Sequence, residues 1–275
     1  MREAKGMAML QRCLTVAVIC LIASGARAET LECLIEPDLV IELATPVEGV
    51  IDEMVVDRGD RVDAGDVVAR LDSQLERIAV EMAKEKAEDD SSVRASASRL
   101  LNQTRTLERT QTLFERRTVP QATLEEAQML REVREIEHSS TERQLAMAQV
   151  ELKRAETVLE RRAVKSPIAG VVLERLLQAG EYAHEQANIA RIARIDPLRI
   201  EVFAPIRLFA SVKVGDPVTI HPIEPVGGSY VGKVDVVDQV FDPASGTFGV
   251  RITLPNPGEK IPSGLRCTAD FAPDS

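Results

Sequence analysis

The sequence predicts an α+β chain of several domains: a small β unit split in two, an antiparallel pair of long helices inserted between its halves, and a small antiparallel β-barrel after them. Three observations lead there. A short β motif occurs twice at one offset, the segment between the copies is charged and nearly free of glycine and proline, and the stretch after the second copy alternates short apolar runs with turn residues.

The first copy of the motif reads Pro46-Val47-Glu48-Gly49-Val50-Ile51, then Val56-Asp57-Arg58-Gly59-Asp60. The second reads Pro167-Ile168-Ala169-Gly170-Val171-Val172, then Leu177-Gln178-Ala179-Gly180-Glu181. Gly49 and Gly170 are 121 residues apart, as are Gly59 and Gly180, and the same offset lays Val68-Ala69-Arg70-Leu71 on Ile189-Ala190-Arg191-Ile192. An ordinary small β domain does not account for that shared register. The implied halves are residues 29–72 and 164–195, with 73–163 inserted and 196–275 left for the barrel. Gly49, Gly59, Gly170 and Gly180 are expected at the structural turns of the two halves, where glycine reaches positive φ without steric cost.

The insertion reads as two helices, from Ser73 to about Arg117 and from about Gln121 to Ala163. Val93, Leu100, Leu107 and Phe114 recur every seven residues in the first arm, and Leu145, Leu152 and Leu159 in the second, which places them on one coiled-coil seam. Polar seam positions such as Ser96, Gln103 and Thr110 imply looser packing than a leucine zipper has, weakest around Asp89 to Ser92. At about 1.5 Å per residue, an arm of this kind reaches about 65 Å. Pro120 cannot continue a helix but suits the start of one, so the tip falls near 117–121.

Residues 1–28 have the features of an export signal. Arg2, Lys5 and Arg12 precede an apolar run from Leu14 to Ala23, and Ala26-Arg27-Ala28 is a small-x-small cleavage site. The run is shorter than the roughly 20 residues of a spanning helix, so cleavage before Glu29 is expected. A lipid anchor at Cys20 is disfavoured by the bulky Ile19 before it. Cleavage leaves Cys33 and Cys267, in a compartment where disulfides persist. They are either two independent small buried residues or a pair. The even count, and flanking segments that both read as strands, favour the disulfide.

At this point the residues resemble a known family. Gly59-Asp60 through Val68-Ala69-Arg70-Leu71-Asp72, together with Lys165-Ser166-Pro167-Ile168-Ala169-Gly170-Val171-Val172, resembles the two halves of a lipoyl/biotinyl-like domain. A split lipoyl unit carrying an inserted antiparallel coiled-coil α-hairpin is similar to the periplasmic adaptor, or membrane fusion protein, family of haemolysin-D-like efflux adaptor subunits. Strand-like runs after Asp196, with Gly232-Lys233-Val234, Asp242-Pro243, Thr247, Arg251, Asn256 and Gly264, are similar to that family's β-barrel, and Pro205 to Val212 reads as a short helix plugging it. Members serving resistance-nodulation-division pumps usually continue into a membrane-proximal domain, for which no sequence follows Ser275. In adaptors that dock on an outer-membrane tunnel the tip resembles Arg-x3-Leu-x6-Ser. Arg109 and Leu113 match, Val119 follows, and Pro120 stands where the serine would be.

Candidate chemistry is sparse. His138, His184 and His221 lie in different elements, no Cys/His cluster has metal-ligand spacing, and no phosphate-cradling loop or nucleophile elbow occurs. The expectation is no catalytic residue, no metal and no cofactor. The net charge of −10 with alternating signs argues against nucleic acid. The resemblance implies a periplasmic adaptor, peripheral to the inner membrane. Its implied partners are an inner-membrane transporter of the resistance-nodulation-division type, an outer-membrane tunnel protein and further copies of itself in a ring. The alternatives are a structural coiled-coil scaffold, or a lipoyl/biotinyl-type carrier. The carrier is disfavoured because no lysine lies on a tight turn between the halves.

Overall fold

A computed structural model of the chain describes residues 29–271. The expected export signal, 1–28, lies outside the described residues, as do the last four positions. The chain packs as two units, one formed by Glu42–Ile192 and the other by the residues up to Ile41 together with those from Ala193.

In the first unit the repeat becomes a pseudo-twofold β-sandwich. Its elements are the end of β1 (Glu29–Ala44), β2 (Gly49–Met54), β3 (Arg61–Val62), β4 (Val67–Leu71), β5 (Ala163–Lys165), β6 (Gly170–Arg175), β7 (Tyr182–Ala183) and the start of β8 (Asn188–Pro205). One sheet has the order β5-β4-β2-β7; in the other β8 lies beside β6 and β6 beside β3, with β1 also paired to β8. Each half lends its shortest strand to the other. Gly49 faces Ala183 across β2–β7, and Val62 faces Gly170 across β3–β6. The loops exchange bonds in the same way: the Gly59 amide donates to the Val172 carbonyl and the Gly180 amide to the Ile51 carbonyl, both at 2.8 Å. Thr45 and Ser166, both buried, bond forward through their hydroxyls to the carbonyls of Val47 and Ile168. The core repeats too: Ile51, Val68, Ala69 and Leu71 from one half, and Val172, Ile189, Ala190 and Ile192 from the other, are all buried.

Gly59 and Gly180 adopt positive φ, 93° and 88°. The symmetry fails at one turn, where Gly65 (φ 99°) is matched by Gln186 (φ 66°). A side chain there pays a cost that glycine does not.

The hairpin leaves after β4 and returns at β5. It comprises α1 (Gln74–Glu88), α2 (Ser91–Glu115) and α3 (Gln121–Glu160). The first arm is therefore not one helix, as the uninterrupted pattern from Ser73 to Arg117 suggests, but two, divided at Asp89-Asp90. Asp89 leaves the helix in extended conformation (φ −77°, ψ 94°) and its carboxylate accepts the Ser91 amide at 3.0 Å. Aspartate favours such local bonds over a helix interior. The hydroxyl and amide of Ser91 hold the Asp89 carboxyl below the usual carboxylate range. Asp90 opens α2, its carbonyl accepting the Arg94 amide while its carboxylate pairs with the Arg94 guanidinium at 2.9 Å.

The polar seam is satisfied locally. Thr104 and Thr110 hydroxyls donate to carbonyls one turn back. Ser96, buried, meets His138 Nδ1 at 3.0 Å and the Thr141 hydroxyl at 2.7 Å on α3.

The second unit is a six-stranded barrel of order β1-β12-β9-β10-β11-β8, closed by β1 against β8, with β9 (Pro217–Pro222), β10 (Tyr230–Val237), β11 (Thr247–Leu254) and β12 (Arg266–Phe271). Alternation fills it: Leu198, Ile200, Val202 and Ala204 of β8 face Phe248, Val250, Ile252 and Leu254 of β11 in the core. The expected plug over Pro205 to Val212 is one 3-10 turn, Ile206–Leu208, followed by turns. Phe209 packs edge-on against Phe248 at its mouth. β8 runs unbroken through Asp196-Pro197, where the local residues read as a boundary. Cys33 lies opposite Cys267 on β1–β12, and their sulfurs are bonded.

Two stability measurements test this account. Gln186→Gly is expected to stabilise the chain by roughly 0.5–1 kcal/mol, the left-handed conformation costing glycine little, as read by denaturant midpoint. Reducing the Cys33–Cys267 bridge, 234 residues apart in sequence, is expected to cost up to about 4–5 kcal/mol by loop entropy; an unchanged unfolding midpoint would contradict this.

Candidate docking site at the hairpin tip

The tip is built from the end of α2, a short turn and the start of α3. α2 stops because Arg117 enters the left-handed region (φ 59°), the position where glycine is usual. The Arg117 amide donates to Phe114 O at 2.7 Å and the Thr118 amide to Leu113 O at 2.9 Å, which closes the last carbonyls. Pro120 then caps α3 in extended conformation (φ −66°, ψ 157°), and its carbonyl accepts the Thr123 amide. Its ring forfeits no bond there, because a helix start leaves its first amides unpaired anyway.

This geometry separates the apolar residues of the tip. Phe114 and Val119 are half-buried and close the turn, whereas Leu113 remains exposed, as are Arg109, Arg116, Arg117 and Pro120. Arg109 and Leu113 are one turn apart and share a face of α2. Among the described residues Arg109 is steadied only by a 3.3 Å bond from its guanidinium to the Thr106 hydroxyl of the preceding turn, which leaves most of its donors open. An exposed apolar side chain beside an exposed guanidinium is equipped for recognition. It holds no nucleophile, and among the described residues no group of three or more His, Cys, Asp or Glu could hold a metal ion.

The remaining residues singled out in the sequence serve elsewhere. Gly59 and Gly180 sit at the exchanged turns, Gly170 begins β6, and Cys33 and Cys267 lie in the barrel wall. Gly49 has a further role at the base of the hairpin. A Cβ built there would lie 2.8 Å from Arg162 Nη1. Arg162 uses that space to donate to the Glu48 carbonyl at 2.7 Å and to the Glu76 carboxylate at 2.6 Å, with both charged side chains largely buried. Its own carbonyl accepts the Leu71 amide. One residue therefore joins α1, the end of α3 and both strands flanking the insertion. Sequence reasoning missed it, although a signal was present: Arg162 falls at the break of the repeat, and its counterpart in the first half is the apolar Ile41. Two barrel glycines likewise leave space for a neighbour: a Cβ on Gly232 would meet Ile252 Cγ2 at 2.6 Å, and one on Gly249 would run into the Asp238 carboxylate.

Comparison with known proteins bears on the same regions. Residues 40–194 match the family model described as CzcB-like, barrel-sandwich hybrid domain. The nickel-cobalt-cadmium resistance protein NccB of Alcaligenes xylosoxydans xylosoxydans is 28% identical over 204 residues, covering 71% of this chain and 45% of that protein. An uncharacterized protein of Haemophilus influenzae is 20% identical over 233 residues, covering 84% and 54%. The chain thus spans about half the length of the curated relatives it matches. Among solved structures, MacA from Actinobacillus actinomycetemcomitans superposes with a TM-score of 0.71 at 21% identity, over 90% of this chain and 79% of that one. A MacA–MexA chimera carrying the Pseudomonas aeruginosa MexA α-hairpin domain gives 0.58 at 17%, over 90% and 79%.

Arg162→Ala leaves the Glu76 carboxylate without its partner in a largely buried setting. It is expected to cost about 2 kcal/mol, the range of a hydrogen bond to a charged group. Adding Glu76→Gln is expected to restore part of that loss, since the unpaired charge is then removed; a strictly additive double-mutant cycle would show that the two side chains do not interact.

Proposed function

Since this chain belongs to the periplasmic adaptor, or membrane fusion protein, family with a CzcB-like barrel-sandwich hybrid domain, we propose that it links an inner-membrane transporter to an outer-membrane tunnel protein in a tripartite efflux or secretion system. The hairpin reaches away from the sandwich and presents its tip to the tunnel, while the β-barrel serves the transporter side. The work is assembly and sealing of a conduit rather than turnover. The transporter is proposed to be of the resistance-nodulation-division type, and export across the inner membrane is proposed to use residues 1–28 as a cleaved signal.

The observation that carries the reading is the exposed Arg109–Leu113 pair at the end of a hairpin whose own turn is already closed by Phe114 and Val119. Leu113 keeps 41% of its surface exposed, and burying that remainder against a partner is worth about 1 kcal/mol. Pro120, at the place where the docking pattern carries serine, supplies a rigid helix start instead of a hydroxyl. The tunnel contact is accordingly proposed to rest on Arg109 and Leu113, with Val119 and Pro120 shaping the turn beside them. A weak contact per tip gains strength when several adaptors present it at once.

The test is to replace Arg109 with Asp and Leu113 with Ser, separately, and to measure crosslinking to the tunnel and efflux in cells. NccB is named for nickel, cobalt and cadmium resistance, so tolerance to those cations is the first phenotype to read, alongside drug susceptibility. Both variants are expected to fold normally and to lose most crosslinking and transport. Full transport and crosslinking in both would place docking on another surface.

A further inference from the structure

We infer that the outer wall of the barrel carries a nucleophilic serine, Ser229, which His221 and Asp270 equip to take an apolar acyl group from an ester. The inference goes beyond the adaptor reading and concerns residues that reading does not use.

Strand pairing assembles the site from residues that lie far apart in sequence. On β9 the buried residues are Val218, Ile220 and Pro222, and on β12 they are Cys267, Ala269 and Phe271. Alternation therefore turns His221 and Asp270 to the outer face. Asp270 pairs with Thr219, two residues before His221, so the two side chains are diagonal neighbours across β9–β12. Thr30 stands directly opposite Asp270 on β1. On the other side of His221, Ser229 leads into Tyr230, which faces Ile220. Four neighbouring segments thus present Thr30, Asp270, His221 and Ser229 in one row.

The row is hydrogen-bonded from end to end. Ser229 Oγ lies 3.1 Å from His221 Nδ1, and His221 Nε2 lies 3.1 Å from Asp270 Oδ2. The Thr30 hydroxyl donates to Asp270 Oδ1 at 2.6 Å. The direction of the remaining bonds follows from the carboxylate, which only accepts. The hydrogen of the neutral ring is then on Nε2, Nδ1 is the acceptor, and the Ser229 hydroxyl donates to it. A hydroxyl within reach of a base, with that base held in one tautomer by a third group, is the arrangement of an activated nucleophile.

The surroundings suit acyl transfer. Ser229 is exposed and follows Gly227 and Gly228, both at positive φ (57° and 86°). Among the described residues the amides of Gly228 and Ser229 meet no acceptor, which leaves two donors beside the nucleophile for an oxygen that gains charge. Val231 and Ile223, two residues beyond Ser229 and His221, are 65% and 48% exposed. They offer apolar surface to an acyl chain.

In the first step Ser229 Oγ bonds to the ester carbonyl carbon and its hydrogen passes to His221 Nδ1. The bond from that carbon to the leaving alcohol breaks, and the alcohol oxygen takes the hydrogen from Nδ1. Water then repeats the sequence: it gives a proton to Nδ1, its oxygen bonds to the acyl carbon, and Ser229 leaves with that proton as the carboxylic acid is released. Ser229 and His221 are the catalytic residues, and Asp270 is a positioning residue.

The experiment treats the full-length chain with a fluorophosphonate probe, which bonds to activated serines, and separately with para-nitrophenyl butyrate. One probe per chain is expected, mapped by peptide mass to Ser229. Ser229→Ala is expected to abolish both labelling and ester hydrolysis above the rate of buffer. His221→Ala is expected to slow labelling by about a hundredfold, the low end for a positioned base. In Asp270→Asn labelling is expected to fall as well, and the ¹⁵N shifts of the His221 ring are expected to move the hydrogen from Nε2 to Nδ1, a change that loss of a merely structural contact would not produce. No adduct on Ser229, equal labelling of other exposed serines, an unchanged rate in His221→Ala, or an unchanged tautomer in Asp270→Asn would each overturn the proposal. The first two outcomes are read on the unsubstituted chain, so the test does not depend on any variant folding.

Discussion

The exchange of strands and amides between the two half-repeats is the constraint on which the hairpin unit depends. The Gly59 amide reaches Val172 and the Gly180 amide reaches Ile51, so neither half completes its hydrogen bonding alone. Each such backbone bond contributes about 0.5–1.5 kcal/mol. The insertion point must therefore hold its ends at strand spacing whatever the hairpin does. Arg162 reinforces that requirement by bonding at once to the Glu48 carbonyl and to Glu76 in the first turn of α1. Sandwich and hairpin base are in this sense one joint.

Above the joint the hairpin is stabilised differently. Its seam buries few large side chains, with alanines at 83, 87 and 127 the apolar residues fully enclosed on the three helices. Serine and threonine occupy positions where a zipper would carry leucine. They are tolerated because the hydroxyls of Thr104 and Thr110 bond to their own helix and that of Ser96 meets His138 and Thr141. Polar networks of that kind specify alignment more than they add stability. The arms are held in register by a few specific bonds, and the break at Asp89-Asp90 divides the first arm without disturbing its partner, since α3 runs unbroken beside it.

The repeat offset made the sandwich legible, because Ile51, Val68, Ala69 and Leu71 are buried and so are their counterparts 121 residues later, Val172, Ile189, Ala190 and Ile192. The seam leucines and Pro120 were legible for the same reason, being periodic or conformationally restricted. What escaped was carried by single residues acting through space. Arg162 has no periodicity, and its role depends on the missing Cβ of Gly49. The division of the first arm was foreshadowed by weak packing near Asp89, but the break itself arises from a side-chain bond to Ser91 that competes with the helix. At the tip, spacing picked out Arg109 and Leu113, whereas the opposite fates of Leu113 and its neighbour Phe114 follow from helix phase at the turn, which composition does not reveal.

The pairing of the first described strand with the last has a consequence for how the chain is made. β1 pairs with β12 in the barrel wall and closes it against β8, and the sandwich needs strands from both sides of the hairpin. The helical arms can zip up from the tip, where α2 and α3 are separated by a short turn, while both β units must wait for distant segments. Contacts of such separation slow folding. The hairpin is then a local element that draws the two halves of the sandwich together, shortening the search that the strands would otherwise make across the whole insertion.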